Sequence, residues 1–173
     1  KVGLLNIGSE PSKGTGLQQE AYILLKKAGD EGRINFVGNV EAREAVEGAV
    51  DVIVADGYSG NIFLKTMEGA GLFLGREIKK MFLRNVRSKI AALLVKDGVL
   101  EFKKLMDSNE VGGTALVGIA KPVIKAHGSS NGTAMKNAIR QAVEFTRSGM
   151  IEDIAENMEH MRLPVKPAPE DKG

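Results

Sequence analysis

The 173-residue chain contains no cysteine. That absence excludes disulfide frameworks, cysteine-ligated zinc and thiol nucleophiles. Two histidines, His127 and His160, are too few for a zinc site of the usual kinds. Asp51, Asp56 and Glu68 do not form a recognisable ligand set, so no metal is expected. No apolar run approaches the roughly 20 residues of a spanning helix. The opening residues show no signal-peptide pattern, and secretion is not expected. An initiator methionine is also missing, and the chain opens directly on an apolar strand pattern, so the expectation is a piece of something longer. With 43% hydrophobic and 27% charged residues the composition is ordinary for a globular chain, which argues against intrinsic disorder.

Apolar patterning predicts alternating strands and helices. Strands are expected at 2–7, 34–37, 50–55, 115–119 and 123–126. Helices are expected at 17–28, from about 40 to 47, from 62 onward, and at 132–148 with a weaker continuation over 150–161. Residues 163–173 read as a fraying tail. Continuous apolar strands alternating with helices imply an α/β fold whose sheet is largely parallel, with helices on both faces and ligands at the carboxyl ends of the strands.

Two polar loops fall at such ends. The first is Asp56-Gly57-Tyr58-Ser59-Gly60-Asn61. Its glycines let backbone approach a ligand, and the helix start offers N–H groups to an anion. Lys65 is predicted in the first helical turn, where the helix dipole disfavours a cation. Either a bound anion or a carboxylate such as Glu68 or Asp56 explains it. The second loop is Lys125-Ala126-His127-Gly128-Ser129-Ser130-Asn131. Hydroxyls, backbone N–H groups and the Lys125 ammonium suit a phosphate, and His127 can carry protons. Capping of the next helix by Ser130 or Asn131 is the plainer alternative for those two. The opening loop, residues 8–16, is also glycine-rich but fits neither the dinucleotide fingerprint nor the P-loop. It reads as a flexible connector.

Charge is unevenly spread. Residues 76–104 carry nine Lys or Arg against three acids, a net +6 in a chain whose total is +2. Apolar residues at 78, 82, 86, 90, 93 and 94 keep helical spacing, and Asp97-Gly98 is predicted to break the run before a second helix carrying Val99, Phe102, Leu105 and Met106. The expectation is a protruding helical hairpin at about 76–108 with an apolar tip at 90–100. It matches no nucleic-acid motif. A dimer bundle, an anionic membrane surface or an acidic protein all suit it.

Four separated motifs resemble one family. They are Gly3-Leu4-Leu5-Asn6-Ile7-Gly8, Ile34-Asn35-Phe36-Val37-Gly38-Asn39-Val40-Glu41, the run from Val50 through Asp56-Gly57 and Gly60-Asn61 to Leu64-Lys65-Thr66, and Pro122-Val123-Ile124-Lys125-Ala126-His127-Gly128-Ser129-Ser130-Asn131. Together they are similar to PlsX, the bacterial acyl-acyl carrier protein:phosphate acyltransferases. The resemblance implies a three-layer fold similar to phosphotransacetylases and isocitrate-type dehydrogenases, with residues 1–162 as the C-terminal portion of a longer two-part enzyme. It implies transfer of a long fatty acyl chain from acyl carrier protein to inorganic phosphate, giving acyl phosphate for phospholipid synthesis. It also implies a cytoplasmic homodimer, peripherally attached to the membrane and free of organic cofactors.

Carried onto this chain, the resemblance makes His127, Lys125 and Asn61 the catalytic candidates. Asp56, Gly57, Ser59, Gly60, Lys65, Gly128, Ser129, Ser130 and Asn131 become the phosphate and substrate contacts. Arg84, Arg87, Lys89, Ile90, Leu93 and Leu94 become the surface for anionic lipid or the acidic carrier. Related phosphotransacetylases carry an acidic residue where this chain has Asn131, which leaves His127 to handle the proton. The rival readings are a coenzyme A-dependent phosphotransacylase and a non-catalytic fragment for dimerisation and membrane docking. A nicotinamide-dependent dehydrogenase is disfavoured, because the paired metal carboxylates it needs are not evident.

Overall fold

A computed structural model describes residues 1–105, 108–128 and 130–161. Met106, Ser129 and the predicted tail at 163–173 therefore lie outside the described residues. The chain divides into two compact units, Lys1–Glu77 and Ile78–Gly173.

The first unit contains β1 (Val2–Asn6), α1 (Gly16–Asp30), β2 (Phe36–Glu41), α2 (Ala42–Val46), β3 (Val52–Val54) and most of α3 (Gly57–Leu83). Its three strands form a parallel sheet in the order β2-β1-β3. The chain steps from β1 to β2 through α1, then back across β1 to β3 through α2. Right-handed crossovers in opposite directions put α1 and α2 on opposite faces. The segments that follow β1 and β3 both leave the sheet at its carboxyl edge, where ligands sit in parallel sheets. Leu4 and Val40 are buried in this sheet, and the Tyr22 and Phe36 rings meet edge to face at 5.4 Å, clamping α1 onto β2.

Strand β2 departs from expectation. The sequence ends it at 37 and begins a helix near 40, but the strand runs on to Glu41, and Val40 pairs with Leu5. The reason is a bulge. Val2 pairs with Phe36 and Gly3 with Gly38, so Val37 is the extra residue, and Gly38 takes φ +104°. Gly38 is the hinge that lets the strand continue beyond its first apolar run.

In the second unit, α4 (Val86–Leu94), α5 (Lys96–Leu105) and α6 (Ser108–Val111) precede β4 (Gly113–Ala115), β5 (Ile124–Ala126), α7 (Gly132–Arg147), α8 (Met150–Glu156) and α9 (Met158–Met161). The sequence places the strands here in a largely parallel sheet; instead β4 and β5 pair antiparallel with each other. Helix α7 packs on both, burying Ala134, Ala138 and Phe145 along one stripe. Gly112, at φ +95°, holds the turn before β4 against α7: a Cβ there would lie 2.5 Å from the Ala138 nitrogen. From α7, Asn137 and Gln141 donate to the Glu110 and Val111 carbonyls at 3.0 and 2.8 Å.

The predicted two-helix hairpin is replaced by three helical segments. Helix α3 continues to Leu83, and the break falls at Arg84-Asn85. There Asn85 caps α4 by accepting from the Ser88 N–H, while the Ser88 hydroxyl bonds back to Asn85. Asp97-Gly98, the expected break, lies inside α5. Asp97 suits that first turn because its charge opposes the positive end of the helix dipole. Among the described residues, no helix is long and apolar enough to cross a membrane.

Candidate functional site

The carboxyl edge of the parallel sheet gathers more polar side chains than the sequence suggests. Residues 8–14, expected to be a flexible connector, are pinned by three carboxamides from three elements. Asn6 of β1 donates to the Lys13 carbonyl at 3.1 Å, Asn39 of β2 to the Glu10 carbonyl at 2.7 Å, and Gln19 of α1 to the Ser12 carbonyl at 2.8 Å. Asn39 is only 8% exposed, so this bond is shielded from water. Gly14 is required where the loop turns into α1. Its φ is +86°, and a Cβ would stand 2.7 Å from the Gln18 Cβ and 2.8 Å from the Asn6 Oδ1.

The loop delivers Thr15 to the start of α1, where Thr15 and Gln18 form a capping box; the Thr15 N–H donates to Gln18 Oε1 at 3.0 Å. The other end of the Gln18 amide crosses to the loop after β3 and donates to Asp56 Oδ2 at 3.0 Å. Asp56 Oδ1 accepts the N–H groups of Tyr58 and Ser59 at 2.9 and 2.8 Å, and the Asp56 carbonyl accepts from the Gly60 N–H at 2.9 Å. Asp56 is thus the N-cap of α3. Hydrogen bonds from Ser59, then from the Tyr58 N–H and the Gln18 amide, hold its carboxyl below the usual carboxylate range, against a smaller opposing effect of desolvation.

This arrangement changes the first polar loop. The sequence begins the helix at 62, but α3 begins at Gly57, so Ser59, Gly60 and Asn61 lie on its first turns rather than in a loop. The N–H groups expected to receive an anion at Tyr58 and Ser59 go to Asp56 instead. Gly60 allows the close approach of the helix to the strand end, since a Cβ would meet the Ala55 Cβ at 3.2 Å. Lys65 lies beyond the first turn and bonds Glu68 at 2.7 Å, which selects the carboxylate explanation for it. Gln18 and Thr15 also belong to this site. Their Thr-x-x-Gln spacing is a visible cap signal, but the partner on Asp56 is not.

The second loop is built differently. Lys125 stands on β5 opposite Thr114, and His127 follows the strand end; both are exposed. Ser130 folds back, its N–H and hydroxyl both bonding the His127 carbonyl, at 3.0 and 2.6 Å. Asn131 caps α7, accepting the Ala134 N–H at 2.9 Å, while its carbonyl receives the Met135 N–H at 3.0 Å. Gly128 completes the turn beside His127. The cap here is neutral.

The basic segment places Arg84 between α3 and α4, and Arg87, Lys89, Ile90, Leu93 and Leu94 on α4, all exposed. Val86, Ile90, Leu93 and Leu94 recur at helical spacing, and Leu94 is 84% exposed. A separate hollow of about 290 Å³, lined by Tyr22, Lys26, Asp30 and Phe36 among others, opens around the amino end of β2, where the strand-end loops do not reach.

Comparison with known proteins gives this geometry a context. A phosphate acyltransferase of Alkaliphilus oremlandii is 49% identical over 158 residues, covering 91% of this chain and 46% of that protein. One of Brevibacillus brevis is 46% identical over 162 residues, covering 94% and 47%. One of Exiguobacterium sibiricum is 49% identical over 156 residues, covering 90% and 46%. The chain spans about half the length of the curated relatives it matches. The matched stretch includes both strand-end loops, and the family model described as "Fatty acid synthesis protein" fits residues 1–153, so the chain belongs to that family, the PlsX proteins its motifs resemble.

Proposed function

We propose that the protein is a phosphate acyltransferase that moves a long-chain fatty acyl group from acyl carrier protein to inorganic phosphate, releasing acyl phosphate for phospholipid synthesis. The observation that carries this reading is the 42–49% identity, across nearly the whole chain, to relatives named phosphate acyltransferase. The same reading assigns the three-layer phosphotransacetylase-like fold, the cytoplasmic homodimer and the absence of an organic cofactor. In the reaction a phosphate oxygen attacks the thioester carbon, the C–S bond breaks, and the proton of hydrogen phosphate passes to the leaving thiolate. Atoms and charge then balance without a co-reactant.

Electrostatics favours the 127–131 loop as the phosphate side. A helix N-terminus attracts anions. At α3 that attraction is answered by the Asp56 carboxylate, whereas at α7 the cap is the neutral Asn131. Lys125 supplies a point charge beside that loop and Gly128 a backbone N–H, while the Ser130 N–H and hydroxyl, given to the His127 carbonyl, hold the turn. His127 takes the phosphate proton and returns it to the thiolate. Asn61, on the first turns of α3, is assigned to the oxyanion of the tetrahedral intermediate. Asp56 then acts by fixing the start of that helix rather than by touching phosphate.

The α4 face supports membrane attachment: Ile90, Leu93 and Leu94 offer apolar area, with Arg87 and Lys89 beside them for anionic headgroups or the acidic carrier. Reversal of charge at Arg84 and Arg87 is expected to lower both flotation with phosphatidylglycerol vesicles and affinity for the carrier. If neither changes, this part of the reading is wrong.

The test of the reaction uses the product of the complete gene, supplied with long-chain acyl carrier protein or acyl-coenzyme A and labelled phosphate. Hydroxylamine-sensitive acyl phosphate is expected from the carrier substrate, falling by roughly 10²- to 10⁴-fold in His127→Ala. Product from coenzyme A alone reassigns the donor. A wild-type protein that makes none from either donor removes the enzyme reading.

A further inference from the structure

The Gln18 side chain joins two parts of the chain 38 residues apart, beyond the carboxyl ends of the paired strands β1 and β3. Both ends of its amide are occupied. Oε1 accepts the Thr15 N–H and hydroxyl, and Nε2 donates to Asp56 Oδ2. Flipping the amide would set oxygen against carboxylate, so its orientation is determined from both sides. Asp56 is likewise committed at both oxygens, one to Gln18 and one to the Tyr58 and Ser59 N–H groups. The start of α1 is in turn anchored through residues 8–14 by Asn6, Asn39 and Gln19. A chain of directed bonds therefore runs from β1 and β2, through a rigid loop and Gln18, to the first turn of α3.

That first turn needs such support. Gly57 and Gly60 are poor helix formers, and Tyr58, Ser59 and Asn61 are exposed, so packing alone holds it loosely. We propose that Gln18 is a positioning residue, its amide fixed by Thr15 and gripping the Asp56 carboxylate, so that the first turns of α3 and Asn61 upon them stand in one place beyond the carboxyl end of β3. This rests on the phosphate acyltransferase reading, in which Asn61 serves the reacting thioester. Sites held to within a fraction of an ångström by such supporting bonds lose turnover when one is removed.

The rival explanation is that Gln18 only completes the cap of α1, and reversal of polarity separates the two. Gln18→Glu keeps the Thr15 box, because glutamate serves that position as well, but sets a carboxylate against Asp56. Asp56→Asn keeps the α3 cap but turns an NH₂ group toward the Gln18 NH₂. The double variant restores one donor facing one acceptor, with the direction of the bond reversed. In the complete gene product, each single change is expected to lower kcat for acyl carrier protein substrate by roughly tenfold or more. The double variant is expected to recover to within about threefold of wild type, the mark of direct coupling. KM for the acyl donor should stay close to wild type in all three, and any fall in the thermal midpoint should be small and should not follow the loss of kcat.

Wild-type kcat in Gln18→Glu, a double variant no better than the worse single one, or losses that track the thermal midpoint would each overturn the positioning role. A wild-type enzyme that makes no acyl phosphate overturns the underlying reading as well, and that result is seen before any variant is made.

Discussion

The two strand-to-helix entries look alike in sequence, each a polar run with glycine and hydroxyls, yet they are capped by different chemistry. At Asp56 the cap is an ionised carboxylate, tied to another element by Gln18. At Asn131 it is a neutral amide, and the bonds around it are local, Ser130 to His127 and Ala134 to Asn131. A carboxylate cap stabilises its helix while cancelling the positive end of the dipole, and a neutral cap leaves that end for a ligand. One entry is thereby suited to holding structure and the other to holding an anion.

Between the two caps, the largest effect is expected from making the second entry resemble the first. Asn131→Asp retains the cap of α7 but places a negative charge where phosphate is proposed to bind. KM for phosphate should rise about tenfold, the consequence of roughly 1.4 kcal/mol of like-charge repulsion. Steady-state kinetics with varied phosphate reads this, and an unchanged KM would place the phosphate elsewhere. Asn131→Ala tests the capping role alone. Loss of the bond to the Ala134 N–H should lower stability by about 1 kcal/mol in denaturant unfolding.

The smallest effect concerns pH. Folding holds the Asp56 carboxyl below its ordinary range, through Ser59 first and then Tyr58 and Gln18. A depressed folded pKa stabilises the protein above the unfolded value, and that stabilisation is lost as pH falls through the folded value. The stability advantage of wild type over Asp56→Asn should therefore shrink as pH drops below the ordinary carboxylate range. Wild type and Asn131→Ala should show no such convergence over the same acid range, since neither an amide nor a methyl group titrates there. Parallel denaturant curves across acid pH would contradict the difference between the caps.

Much of the local structure is legible without coordinates. Helices α1 and α7 announce themselves by apolar spacing, β1 by its continuous apolar run, and the α7 cap by an Asn ahead of that spacing. The failures have common causes. Strand β2 outruns its apolar pattern because the bulge at Val37 and Gly38 carries the pairing on to Glu41. Helix α3 starts early because Asp56 caps it in spite of the glycines that follow. The basic segment breaks at Arg84-Asn85, where a reciprocal Asn85–Ser88 cap outweighs Asp97-Gly98. Strands β4 and β5 pair with each other, and a three-residue strand carries no sign of its partner's direction.

By itself the sequence determined the order of strands and helices, the family, and the residue types at each strand end, because periodicity and caps depend on residues three or four apart. Tertiary structure alone decided which of those polar groups are already committed. Asn39 reaches Glu10 across 29 residues and Gln18 reaches Asp56 across 38. Those bonds turn an apparent connector into a rigid loop and an apparent phosphate ligand into a helix cap. Side-chain amides can bond any backbone or carboxylate group within reach, so only the packing of β1, β2 and α1 selects their partners.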